Sequence, residues 1–146
     1  MNEIVTTVMG NAVTDVTLKT LPSGNCVANF RIANNPKKFD KQSNTWQELD
    51  PNFLTINAWG LLAENIANSV FKGQPLIVNG KLKVKQWKDG EKSRTSTELD
   101  AISIGHDLTK GCAEFTKIKK APDFFGNDNW SDAETNTEVS NKQKFR

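Results

Sequence analysis

Residues Lys81–Arg94 read KLKVKQWKDGEKSR, and the alternation inside this stretch decides how the chain folds. In an extended strand, successive side chains point to opposite faces. Lys81, Lys83, Lys85 and Trp87 therefore share one face, and Leu82 and Val84 share the other. The first face is a row of ammonium groups ending in an indole. The second is expected to enter a hydrophobic core. Asp89-Gly90 follows, a favoured pair for a tight hairpin turn, and Lys92 and Arg94 open the return strand. Two readings of this ribbon stand side by side. Lysines on an edge strand deter edge-to-edge aggregation. A cationic ribbon carrying an aromatic plate also suits a polyanion with flat faces, as single-stranded nucleic acid is.

Upstream, Leu76–Asn79 begins the strand that runs into the ribbon, and Gly73 and Pro75 separate it from a helix. Gly60–Val70 places Leu62, Ile66 and Val70 at i, i+4 and i+8, an amphipathic helical period, and Gly73 suits its end. Phe53–Trp59 alternates as a strand, with Leu54, Ile56 and Ala58 directed inward. Its opposite face, Phe53, Thr55, Asn57 and Trp59, brackets polar residues with two large rings, which is not the composition of a core face. Either the rings pack beneath a loop or they meet a ligand. Cys26–Ala33 alternates too, with Phe30 and Ile32 as core candidates and Arg31 on the wetter side. Between these strands, Asn34–Asn52 is a long polar connection bearing Phe39 and Trp46 beside Lys37, Lys38 and Lys41. A connection of that length is usually functional or mobile. Nearer the start, Ile4–Met9 is a β-prone run expected to stop at Gly10-Asn11. Val13–Leu21, a strand or turn, ends at the turn signal Pro22-Ser23-Gly24-Asn25.

Downstream of the hairpin, Ser93–Ile104 changes phase. Leu99 and Ala101 are odd-numbered and Ile102 and Ile104 even-numbered, so a bulge near Ala101 would keep all four inside. Asp107–Ile118 retains Leu108, Phe115 and Ile118 and has room for a further short strand. From Ala121 onward Asn, Asp, Ser, Thr and Glu dominate, the composition of a disordered tail. The expected organisation is a domain over residues 1–120 and an acidic-aromatic tail over 121–146. The expected fold is all-β with one helix: a five-stranded Greek-key barrel of the OB type, an architecture that commonly binds oligonucleotides.

The overall charge of +2 hides an asymmetry. Residues 1–120 carry 16 Lys and Arg against 12 Asp and Glu, and residues 121–146 carry 3 against 5. A basic domain with an acidic tail points toward a nucleic-acid partner. Catalysis finds little support. His106 is the sole histidine, Cys26 and Cys112 match no zinc spacing, and there is no phosphate-binding glycine loop. No cofactor is expected. The N-terminal stretch has no basic segment ahead of its apolar residues, and no apolar run is long enough to span a bilayer. No membrane association and a cytoplasmic location are therefore expected.

Three segments carry a family resemblance: GNAVTDVTLKTLPSGNCVANFRIANN (10–35), NFLTINAWGLLAENIANSVFKGQPLIVNGKLKVKQWKDG (52–90) and TSTELDAISIG (95–105). In order and spacing they resemble the bacterial single-stranded DNA-binding proteins over roughly residues 2–118. GHDLTKGCAEFTK (105–117) resembles an actinobacterial paralogue. The resemblance implies an OB fold, a homotetramer, and single-stranded DNA wrapped along aromatic and basic grooves during replication, recombination and repair. It places the stacking aromatics on Phe39, Phe53, Trp59 and Trp87. Together with the strand phases, it makes Arg31, Lys37, Lys38, Lys81, Lys83, Lys85, Lys92 and Arg94 the expected phosphate contacts. One departure is visible. The family's acidic-aliphatic tip, which docks onto replication and repair proteins, has no counterpart in Asn141–Arg146. Recruitment of such proteins through that motif is therefore not expected. An RNA-binding OB module and a pure interaction module are the alternatives that these residues leave open.

Overall fold

Period-two alternation along most of the chain produces the strands of the computed structural model, which describes residues 2–118. In chain order they are β1 (Ile4–Ala12), β2 (Thr17–Thr20), β3 (Cys26–Asn34), β4 (Lys37–Asp40), β5 (Thr45–Glu48) and β6 (Asn52–Trp59). Helix α1 (Gly60–Ser69) follows, then β7 (Pro75–Asp89) and β8 (Lys92–His106). Six strands form one sheet in the order β1-β7-β8-β6-β3-β2. The end of β1 also pairs with β3, Asn11 opposite Ala33 and Ala12 opposite Ile32, which closes the sheet into a barrel. All pairings are antiparallel except β6 with β8. This is the expected OB-type barrel with one helix, although eight strands stand where five principal ones were expected.

The inward phase of each strand fills the interior. Ala28, Phe30 and Ile32 of β3, Leu54, Ile56 and Ala58 of β6, Leu76 and Val78 of β7 and Leu99 of β8 are buried together. Helix α1 adds Ala63 and Ile66, with Val70 just past its end, and packs against β2, β3 and β6. Gly60 makes this possible: with φ of 67° it turns the chain from strand directly into helix, a conformation glycine adopts without steric penalty.

Several expectations are corrected. Strand β1 does not stop at Gly10 but continues through it to Ala12, changing partner from β7 to β3 as it goes. A Cβ on Gly10 would lie 2.6 Å from the Ala33 carbonyl oxygen, so the closure point needs a residue without one. The polar connection after Asn34 is not irregular: β4 and β5 form a separate two-stranded sheet. Asp40 organises its turn, accepting bonds from the Gln42 amide and the Ser43 hydroxyl, both at 3.0 Å.

The bulge occurs where the phase change called for one, but it does not bury all four residues. Gly80 faces Ala101 and Asn79 faces Ser103. Ile102 is the extra residue and stands 52% exposed. Val84 is not a core residue either, at 57% exposure. Strands β7 and β8 are 15 residues each, and their distal halves extend past the barrel interior, so inward phase there meets water. The tight turn is a two-residue loop, Gly90-Glu91, with Asp89 paired to Lys92 and Gly90 at φ 68°. No strand forms within residues 107–118. Residues 114–118 form a separate short segment without helix or strand. The tail expected over 121–146 lies outside the described residues.

Candidate nucleic-acid interface

The outward phases of β3, β6, β8 and β7 meet on one face of the barrel. Register makes this explicit: Arg31 faces Thr55 and Asn29 faces Asn57. Thr55 faces Glu98 and Asn57 faces Asp100. Lys81 faces Asp100, Lys83 faces Glu98, Lys85 faces Ser96 and Trp87 faces Arg94. Phe53 and Trp59 occupy the two ends of the β6 row. Phe53, Trp59 and Trp87 are each about half exposed, between 47% and 48%, so none is used to build the core.

Each ring is held in its own way. The guanidinium carbon of Arg31 lies 5.2 Å from the centroid of Phe53, within cation–π range. Trp59 is the residue before Gly60, so the strand-to-helix turn sets its direction. It also borders a cleft of about 510 Å³ lined by Lys81, Leu82, Lys83, Asp100 and Ile102 among others. Trp87 sits near the hairpin tip opposite Arg94, whose Nε is 3.1 Å from an oxygen of Asp89.

Beneath the rings runs a chain of hydrogen bonds. Asn29 donates to the Asn57 side-chain oxygen at 2.6 Å. The Asn57 amide donates in turn to Glu98 Oε1 at 2.7 Å and Asp100 Oδ1 at 3.3 Å. The remaining carboxylate oxygens meet lysines. Asp100 Oδ2 is 2.6 Å from Lys83 Nζ, and Glu98 Oε2 is 3.4 Å from Lys85 Nζ. Lys81 pairs with Glu3 at 3.2 Å. The bond and charge of Asp100 hold the Lys83 ammonium above the ordinary lysine range, reinforced by Glu98 and Glu3.

The structure therefore gathers Arg31, Phe53, Trp59, Lys81, Lys83, Lys85, Trp87, Lys92 and Arg94 on one continuous face. It places Lys37, Lys38 and Phe39 apart, on the β4–β5 sheet. There Phe39 faces Trp46, with ring centroids 5.2 Å apart in an edge-on arrangement at 62°. This hairpin springs from the Asn34–Asn52 pair, the same end of β3 and β6 at which Phe53 stands. Sequence reasoning missed the carboxylates. A turn centred on Asp89-Gly90, as the sequence suggests, would set Lys81 opposite Glu98. The loop falls one residue later, on Gly90-Glu91, and sets Lys83 opposite Glu98 and Lys81 opposite Asp100. Among the described residues, no group of His, Cys, Asp and Glu could hold a metal ion, and no helix is long and apolar enough to cross a membrane.

Residues 1–107 match the single-strand binding protein family along the barrel just described. The chain belongs to that family. Among other members, Single-stranded DNA-binding protein 2 of Streptomyces coelicolor is 43% identical over 116 residues, which cover 79% of this chain and 58% of the relative. The single-stranded DNA-binding protein of Corynebacterium glutamicum is 42% identical over 116 residues, covering 78% and 51%. The chain thus spans little more than half the length of these two relatives. The small single-stranded DNA-binding protein crystallised from Streptomyces coelicolor superimposes with a TM-score of 0.69 at 37% identity, over 76% of this chain and all of that one. Both curated relatives are actinobacterial, in keeping with the resemblance of the GHDLTKGCAEFTK stretch.

Proposed function

We propose that this chain binds single-stranded DNA without sequence preference and protects it during replication, recombination and repair. Bases stack on Phe53, Trp59 and Trp87, and on Phe39 from the adjoining hairpin. Phosphates are met by Arg31, Lys37, Lys38, Lys81, Lys83, Lys85, Lys92 and Arg94. One observation carries the reading: three large rings stand half exposed on one barrel face, spaced among cations and excluded from the core. Every base has a π-face, so such a platform is tolerant of sequence. No catalytic step belongs to this reading.

An OB domain covers a short length of strand, on the order of 4–16 nucleotides, so wrapping longer DNA needs several copies. The family membership and the exposed apolar residues Ile4, Val5 and Met9 on β1 support a homotetramer. Residues 1–120 form the binding domain and 121–146 an appendage to it, in a protein that works in the cytoplasm on the nucleoid.

Titration with oligo-dT, oligo-rU and a duplex of equal length, followed by tryptophan emission, tests the binding. Oligo-dT is expected to quench emission and to bind more tightly than the duplex. The logarithm of its affinity should fall with that of salt by about 0.7 per phosphate neutralised. No response to oligo-dT at low salt would refute the reading. Light scattering at micromolar concentration is expected to give a particle near four chains, and a monomer that still binds tightly would refute the tetramer alone.

A further inference from the structure

The binding face carries its own anions. Lys81, Lys83 and Lys85 look like a cationic row in the sequence, yet each is paired with a carboxylate: Glu3, Asp100 and Glu98 respectively. The two pairs made with β8 differ in kind from an ordinary surface ion pair. The Asp100 and Glu98 side chains are only 13% and 14% exposed, whereas Lys83 and Lys85 are 55% and 60% exposed. Each carboxylate is also pinned from the β6 side by the amide of Asn57, which is itself buried and held by Asn29. The anions are fixed in the floor and the cations are the mobile partners. Glu3, at 47% exposure, has no such anchor.

A phosphate reaching Lys83 or Lys85 therefore does not meet a free ammonium group. It must replace a carboxylate already in place. The released carboxylate cannot swing away into solvent, because Asn57 holds it beneath the incoming strand, where it repels the phosphate. Among the described residues Lys92, on the same hairpin face, forms no ion pair. The guanidinium of Arg31 lies by the Phe53 ring and, among the described residues, forms no ion pair. Those two cations are available to phosphate without an exchange.

We propose that Glu98 and Asp100 act as built-in competitors of the DNA phosphates, occupying Lys85 and Lys83 and thereby setting the affinity and salt dependence of strand binding. The proposal rests on the single-strand reading of this face. It makes the lysine row weaker than its count of charges suggests, and assigns the larger phosphate contribution to the unpaired cations.

Asp100→Asn and Glu98→Gln keep an oxygen for the Asn57 amide to donate to and remove only the charge. Each is expected to tighten oligo-dT binding by roughly two- to fivefold at low salt, the scale of one exposed ion pair. Each should also steepen the salt slope by about 0.7, as one more phosphate contact forms. Asp15→Asn, at an exposed carboxylate that pairs with none of these lysines, controls for overall charge. In a Lys83→Met background Asp100→Asn should no longer tighten binding, because the competition it relieves is gone. Equal tightening in both backgrounds, or tightening matched by Asp15→Asn, would reduce the effect to general electrostatics and overturn the proposal. Unchanged or weaker binding by both folded variants would overturn it as well. Should either variant unfold, two substitutions at exposed lysines decide. Lys92→Met should flatten the slope by about 0.7 and Lys83→Met by much less, and equal flattening would sink the idea. Failure of the unaltered protein to bind oligo-dT would instead count against the single-strand reading itself.

Discussion

Arg31 lies over the ring of Phe53, its guanidinium carbon 5.2 Å from the ring centroid. The two are diagonal neighbours across the β3–β6 pair, since Arg31 faces Thr55 while Phe53 faces Ala33. A guanidinium over the ring restrains its orientation and sets a positive charge beside it. Phe53→Ala is expected to weaken oligo-dT binding by ~1–3 kcal/mol, the usual worth of one stacked base. The thermal midpoint should hardly move, because the ring is half exposed. Arg31→Met, which retains an apolar stem, should weaken binding as well. The losses in the double variant should be less than additive, since the arginine acts partly through the ring. Fluorescence titration of the four proteins checks this. Full additivity would mean that the two groups bind DNA independently.

At Gly80, beside the bulge, the backbone of β7 runs close against that of β8. A Cβ there would overlap the backbone carbonyl of Asp100, which has no flexible end to yield. Gly80→Ala is therefore expected to destabilise the barrel by about 1–3 kcal/mol, the range for forced overpacking. Urea unfolding measures it. Gly24→Ala has open space around it but a φ of 91°, so it should cost a smaller amount through backbone strain alone.

Asn57 is the buried centre of the polar chain between β3 and β8. Asn57→Leu would leave the Asn29 amide and two carboxylate oxygens short of a partner. A loss of about 1–3 kcal/mol of stability is expected from unsatisfied polar groups. Asn57→Asp should be worse, because it sets a third carboxylate against Glu98 and Asp100. Chemical denaturation of both variants gives the order, and a stable Asn57→Asp would show that the network is open to water.

Asp107 follows β8 and ties the next turn together. Its Oδ1 accepts from the Thr109 hydroxyl at 2.7 Å and the Thr109 amide at 3.0 Å. These bonds favour the ionised form, so the folded carboxyl titrates below its ordinary value of 3.8. A group whose value is depressed by folding stabilises the native state above its unfolded pKa, and that contribution fades as pH falls through the folded one. Asp107→Asn should accordingly melt at a lower temperature than the unaltered protein at neutral pH. The gap should narrow as pH drops below about 3.8. A gap independent of pH would show that the loss is one of packing.

Strand phase could be read from single stretches because period two belongs to the backbone itself. Phe30 and Ile32 inward with Arg31 outward, Leu54 and Ile56 inward with Phe53 and Trp59 outward, and the helix over Leu62 and Ile66 all follow from local alternation. The tight hairpin after Trp87 did too, since Gly90 supplies the positive φ that such a loop requires. The hairpin around Phe39 and Trp46 was hidden for the same reason. Its two strands have four residues each, too few for a period to show in a polar stretch.

Which residues end up beside one another is a different kind of fact. The change of partner at Gly10, the exposure of Val84 where the hairpin outruns its barrel, and the placing of Ile102 on a bulge depend on strands distant in sequence. So does the state of the lysines. The sequence by itself determined that Lys81, Lys83 and Lys85 share a face with Trp87. Only the tertiary structure decided that each of these three lysines is paired with a carboxylate. β8 passes between β7 and β6 in a register that brings Glu98 and Asp100 up to those lysines, and no local pattern in KLKVKQW contains that register.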